Sequence, residues 1–197
     1  MLPWSFVADT LILTHGAGSN RNAPLLVAVD RALSAGGLSV ARVNLSYREE
    51  RPAGPPRPGD AARDRAGLRE LVVKARGAGA GRVFLGGHSY GGRQASMLAA
   101  EEPGLVDGLL LLSYPLHPPR KPAELRTAHF ANLRTPALFV SGSRDPFGSP
   151  EELESALKLI PAPVTLVVID RAGHELKSAG VVERIAAAFL QRFAAFL

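Results

Sequence analysis

Six short runs of apolar residues punctuate the chain, and longer stretches with helical spacing separate them. The runs are Thr10–Thr14, Ser39–Leu45, Arg82–Gly86, Gly108–Leu112, Ala137–Ser141 and Thr165–Ile169. Runs this short and this continuous suit strands buried on both faces of a parallel sheet, since a strand with one wet face would alternate apolar and polar residues. Between them, Ala23–Ala35, Asp60–Ala78, Tyr90–Glu101, Pro150–Leu159 and Gly180–Leu197 read as helices. Gly36-Gly37 stops the first. Ser149, Pro150, Glu151 and Glu152 give the fourth a capping residue, a proline in its first turn and acidic charge at its positive end. Val182, Ile185, Phe189 and Phe193 form one apolar stripe on the last, which fits a helix docked on a sheet. Such alternation predicts an α/β fold: a single domain over residues 1–197, with a doubly wound, mostly parallel sheet of about six strands and helices on both faces. Two connections stand out. Arg48–Gly59, rich in Pro and Arg, reads as a mobile surface loop. Ser113–Pro136 joins the fourth and fifth strands and is too short and proline-dense for a large cap.

Composition narrows the function. Apolar residues make up 46% of the 197 and charged residues 21%, the balance of a globular chain. The excess of 23 Lys+Arg over 18 Asp+Glu is scattered, and aromatics are only 6%. No basic run with interleaved aromatics marks a nucleic-acid groove, so no nucleic-acid partner is expected. The chain has no Cys, which rules out disulfides, thiolate metal sites and a cysteine nucleophile. No His, Asp or Glu cluster has metal-ligand spacing. Met1–Ser5 lacks the basic segment and apolar run of a signal peptide, and no apolar stretch approaches the roughly 20 residues of a membrane span. A cytoplasmic protein without membrane attachment is expected.

The chemistry concentrates in Gly87-His88-Ser89-Tyr90-Gly91-Gly92. It matches G-x-S-x-G, and it lies between a strand and a helix, the context a nucleophile elbow requires. Ser89 would stand at the strand's carboxyl end beside the free N–H groups of a helix N-terminus. A Gly-rich turn in a nucleotide-binding fold is the competing reading. A serine hydroxyl needs a base to take its proton. His174 follows the last strand in Asp170-Arg171-Ala172-Gly173-His174-Glu175 and is the candidate base. The base in turn needs a carboxylate to fix its tautomer. Asp145 follows the fifth strand in Gly142-Ser143-Arg144-Asp145-Pro146-Phe147, with Asp170 as competitor and a turn cap before Pro146 as the bland alternative. The order Ser89, Asp145, His174 is that of α/β-hydrolases. After the first strand, His15-Gly16-Ala17-Gly18 would bring the Ala17 N–H beside that of Tyr90 to form an oxyanion hole. As a phosphate-binding loop it fails G-x-G-x-x-G, because Arg21 holds the third glycine position. His15 and Gly16, with Leu116 and His117 from the Ser113–Pro136 connection, are candidate substrate contacts. His129, in the same connection, is another, and His88 is expected to pack in the elbow.

Leu13-Thr14-His15-Gly16-Ala17-Gly18, the elbow, Ser113-Tyr114-Pro115-Leu116, Gly142-Ser143-Arg144-Asp145-Pro146-Phe147-Gly148 and Gly173-His174 together resemble one family. It is the dienelactone-hydrolase-like branch of the α/β-hydrolases, close to testis-expressed protein thirty and to subunit three of the NSL histone-acetylation complex. The likeness spans almost the whole chain. It implies the α/β-hydrolase fold and the triad positions Ser89, Asp145 and His174; with those three residues intact, a serine hydrolase acting on a small-molecule carboxylic ester or thioester, without a cofactor, is expected. It also implies an alternative, a catalytically idle scaffold that binds a partner protein. The family usually carries an antiparallel strand pair before the His-Gly loop, whereas only about ten residues precede the first strand here. Ser39–Leu45 is thereby expected at an exposed sheet edge, through which a homodimer could pair.

Overall fold

The computed structural model describes residues 8–193. The leader reading of Met1–Ser5 and the last four residues of the expected C-terminal helix lie outside that range. The strands are β1 (Thr10–Thr14), β2 (Ser39–Val43), β3 (Val83–His88), β4 (Gly108–Leu112), β5 (Ala137–Gly142) and β6 (Val164–Ile169). They form one parallel sheet in the order β2-β1-β3-β4-β5-β6. The helices are α1 (Pro24–Ala35), α2 (Ser46–Glu50), α3 (Asp60–Gly77), α4 (Tyr90–Glu101), α5 (Pro150–Leu157) and α6 (Val181–Phe193).

Alternation within the strands divides the core into two layers. Leu11, Leu13, Phe84, Leu110, Leu138 and Val140 pack against Leu26, Val29 and Leu33 of α1 and against Ile185 and Phe189 of α6. Ile12, Leu85, Leu109, Leu111 and Phe139 pack against α3, α4 and α5 through Leu68, Val72, Ala95, Leu98 and Leu153. The central strands β3, β4 and β5 are buried throughout, as a sheet covered on both faces requires. The edges differ: β2 and β6 are largely half-exposed. After β1 the chain runs outward to β2, then returns across β1 to β3. The loops after β1 and β3 therefore leave neighbouring strands at a point where the winding reverses, the place where open α/β sheets hold ligands. No helix among the described residues is long and apolar enough to cross a membrane.

The Arg48–Gly59 loop departs from expectation. Its start belongs to α2, and Arg48 is a buried anchor that donates to the carbonyls of Ser19, Arg51 and Gly54. Its far end is tied by Asp60, which accepts from the Arg57 N–H and pairs with Arg51 and Arg63. Arg48, Arg51 and Asp60 thus fasten a segment expected to be a mobile surface loop to the carboxyl edge of the sheet.

Candidate active site

Ser89 occupies the turn between β3 and α4 with φ 51° and ψ −116°. A non-glycine residue held there stores about 1–3 kcal/mol of strain, and it persists only where its surroundings enforce it. Two glycines permit the enforcement. A Cβ at Gly87 would lie 2.7 Å from the Gly91 and Gly92 backbone, and one at Gly91 would lie 2.5 Å from the His15 carbonyl. The Ser89 N–H donates to the Leu112 carbonyl at 2.8 Å, which fixes the turn to β4.

His174 follows β6 and presents its ring to this serine. Ser89 Oγ lies 2.8 Å from His174 Nε2, and His174 Nδ1 lies 2.8 and 3.0 Å from the two oxygens of Asp145. An ionised carboxylate only accepts, so Nδ1 carries the ring proton and Nε2 is left to accept from the Ser89 hydroxyl. Asp145 is nearly buried, and its Oδ1 also accepts the Phe147 N–H at 2.9 Å. The Phe147 ring lies against the His174 ring, with centroids 4.2 Å apart. Asp170 points elsewhere: it is 78% exposed and pairs with Arg171.

Ala17 borders the crevice and Tyr90 directly follows Ser89 at the first position of α4; neither backbone N–H bonds to another group among the described residues. A cavity of about 450 Å³ opens there, bounded by the Gly16–Ser19 segment, His88, Ser89, Phe147, His174 and Glu175. A cavity of similar size, about 480 Å³, lies between β2 and α3, but no serine-histidine pair lines it. Of these two cavities, the crevice at Ser89 is the one lined by both a serine hydroxyl and a histidine base.

Three of the candidate substrate-contact residues, Leu116, His117 and His15, do not line this crevice. Leu116 is fully buried under Gly148. His117 is buried as well, with Nδ1 on the Pro118 carbonyl and Nε2 3.4 Å from Glu152. Neither side chain borders the crevice. His15 has no exposed surface. Its Nδ1 donates to the Gly16 carbonyl at 2.8 Å and its Nε2 accepts the Leu45 N–H at 3.2 Å. Burial pushes its pKa down, as suits a neutral ring clamping the end of β1 to the chain leaving β2. Gly16 does reach the crevice, through its backbone. His88 packs in the elbow as expected, with Nε2 donating to the His174 carbonyl at 2.9 Å. His129 lies 2.9 Å from the Ser96 hydroxyl, held down to about 4 by burial and then by Arg93 and Arg65. Phe147, Ser19 and Glu175 line the crevice without having been singled out. Phe147 was legible only as the neighbour of Asp145 in the Asp-Pro-Phe-Gly string.

A parallel sheet with this winding, and a strained serine at the carboxyl end of β3, define the α/β-hydrolase architecture. The chain belongs to the alpha/beta hydrolase domain family, whose model matches residues 7–196. Among solved structures it is similar to dienelactone hydrolase from Anabaena variabilis, at 23% identity over 98% of this chain and 88% of that one, with a TM-score of 0.77. It is also similar to Est1E from Butyrivibrio proteoclasticus, at 16% identity, 95% and 89% coverage and a TM-score of 0.76. An alpha-beta serine hydrolase homologue from Coxiella burnetii matches at 20% identity, 94% and 85% coverage and a TM-score of 0.72. At these identities the likeness is one of fold.

Proposed function

We propose that this chain is a serine hydrolase that cleaves small carboxylic esters or thioesters through a covalent acyl-enzyme. The observation that carries the reading is the continuous hydrogen-bond line from Ser89 through His174 to Asp145. In the first step the Ser89 proton passes to His174 Nε2 while Oγ bonds to the substrate carbonyl carbon. The carbonyl oxygen becomes an oxyanion, held by the Ala17 and Tyr90 N–H groups. One such donor is worth about 10²–10³ in rate. Collapse breaks the bond to the leaving alcohol or thiol, which takes the proton back from His174. Water then attacks the acyl-enzyme by the same route, and the carboxylic acid leaves. Asp145 holds the imidazole in the required tautomer and stabilises it when charged. The cycle is complete with side chains and water, without a cofactor.

Labelling by a fluorophosphonate and turnover of p-nitrophenyl acetate test this. Wild type is expected to label and turn over, and Ser89→Ala to do neither. Equal behaviour of the two overturns the assignment of Ser89. A wild type that neither labels nor turns over any ester identifies the idle scaffold instead.

A further inference from the structure

Behind the two oxyanion donors stands a carboxylate that this chemistry does not use. Asp64 lies on α3 with no exposed surface. One of its oxygens accepts the Tyr90 O–H at 2.8 Å, and the other accepts the Tyr47 N–H at 3.0 Å. Tyr90 supplies one donor N–H directly. Tyr47 reaches the other, because its own hydroxyl donates to the Ala17 carbonyl at 2.6 Å. Arg48, the next residue, donates to the Ser19 carbonyl at 2.7 Å and holds the far side of the same loop. The two loops that carry the donors arise from different strands and are tied to one buried group, one through the Tyr90 hydroxyl and the other through Tyr47, whose N–H bonds to Asp64 and whose hydroxyl bonds to the Ala17 carbonyl.

We infer that Asp64 is a positioning residue that sets the separation of the Ala17 and Tyr90 N–H groups and so shapes the oxyanion hole. The inference rests on the hydrolase reading of Ser89. An oxyanion hole works because its donors are already in place when charge develops, so nothing reorganises during the reaction. Peptide N–H groups on two separate loops have no covalent reason to keep a fixed spacing. A shared rigid acceptor provides one. An apolar residue in the same place would avoid the desolvation cost of a buried carboxylate, but it would leave the Tyr90 hydroxyl and the Tyr47 N–H unpaired. Burial pushes the Asp64 carboxyl up from its ordinary value, while the Tyr47 N–H and then the Tyr90 O–H oppose that rise. Asp64 also caps the N-terminus of α2, which has no capping side chain of its own. A purely structural role would end at that cap.

The test separates the two roles. Asp64→Asn, Tyr47→Phe and Tyr90→Phe are measured for kcat per active site, with sites titrated by fluorophosphonate. Affinity for a trifluoromethyl ketone, whose adduct with Ser89 places an oxyanion in the hole, is measured beside it. Each variant is expected to lose about ten- to hundredfold in kcat, the scale of a small displacement of a catalytic group. KM should be nearly unchanged, and ketone affinity should fall in parallel with kcat. The two Tyr changes combined should be less than additive, since both loosen one arrangement. If Asp64→Asn does not fold, the two Tyr→Phe variants, each lacking a single hydroxyl, carry the test. Lower thermal stability with kcat per site and ketone affinity intact overturns the inference and leaves Asp64 as a cap. If esterase activity survives Ser89→Ala, the hydrolase reading fails and takes the inference with it. If activity needs Ser89 but is indifferent to Asp64 and both hydroxyls, the inference alone fails.

Discussion

Asp145 and Asp170 stand in neighbouring loops, and either could be imagined behind His174 from spacing alone. Burial and direction separate them. Asp145 is held by the Phe147 N–H with both oxygens toward the imidazole, whereas Asp170 faces water. If Asp145 supports the base, Asp145→Asn should lower kcat by about 10⁴, because an amide no longer enforces the tautomer. Adding His174→Ala should cost little more, since groups that act as a unit lose their effect together. Asp170→Asn should leave kcat near wild type. Steady-state kinetics on the four proteins would refute the assignment if Asp170→Asn proved the damaging change. At this scale the sequence speaks clearly where local context repeats in three dimensions. Ser89 and His174 could be read because a strand end and the turn after it dictate where their side chains go. His15 misled for the same reason. Its loop does reach the crevice, but the ring turns inward to close two backbone groups, and nothing in His-Gly-Ala-Gly reports that.

Among the elements, α5 shows how fully a helix end can be written in sequence. The Ser149 hydroxyl accepts the Glu152 N–H while the Glu152 carboxylate accepts the Ser149 N–H, and Pro150 opens the first turn. That backbone N–H, and after it the contact with His117, hold the Glu152 pKa below the ordinary carboxylate value against the opposing effect of burial. Ser149→Ala should cost about 1 kcal/mol, the usual value of an N-cap, with kcat unchanged. Chemical denaturation checks this, and an unchanged midpoint would show that the helix is held by packing alone. The opposite case is α2. Its five residues are too few for a periodic signal, and its cap is Asp64, eighteen positions after its first residue and on another helix. The buried face of α3 runs Asp60, Asp64, Leu68, Val72, one residue every four. Only its Leu and Val half reads as a core stripe. Its acidic half resembles a solvated surface until the partners from α2 and α4 are in place.

For the whole molecule, topology was the most legible property, because six apolar runs with helices between them leave few ways to wind a sheet. The edges were less so: β6 is as apolar as the buried strands yet lies at the rim, and only the strand order reveals it. The same global view bears on substrate size. The connection from Ser113 to Pro136 sends Tyr114, Leu116, Phe130 and Leu133 into the core and leaves Leu125 as its one large exposed apolar side chain, too little to build a lid. What remains open is the crevice of about 450 Å³ and an adjoining cleft of about 300 Å³. The cleft shares Ser19, His88 and Glu175 with the crevice and is walled by Leu25, Leu26, Leu176 and Val181. A methylene that enters such a cleft gains about 0.8 kcal/mol, and one that projects beyond it gains nothing. Across p-nitrophenyl esters, kcat/KM should therefore rise to acyl chains of about two to four carbons and then level off, since each step up depends on that burial. With no lid to open, the rate should also pass smoothly through the micelle threshold of longer esters. A profile that climbs steadily to long chains, or a jump at that threshold, would mean that the Ser113–Pro136 connection opens and that the cleft is the mouth of a longer tunnel.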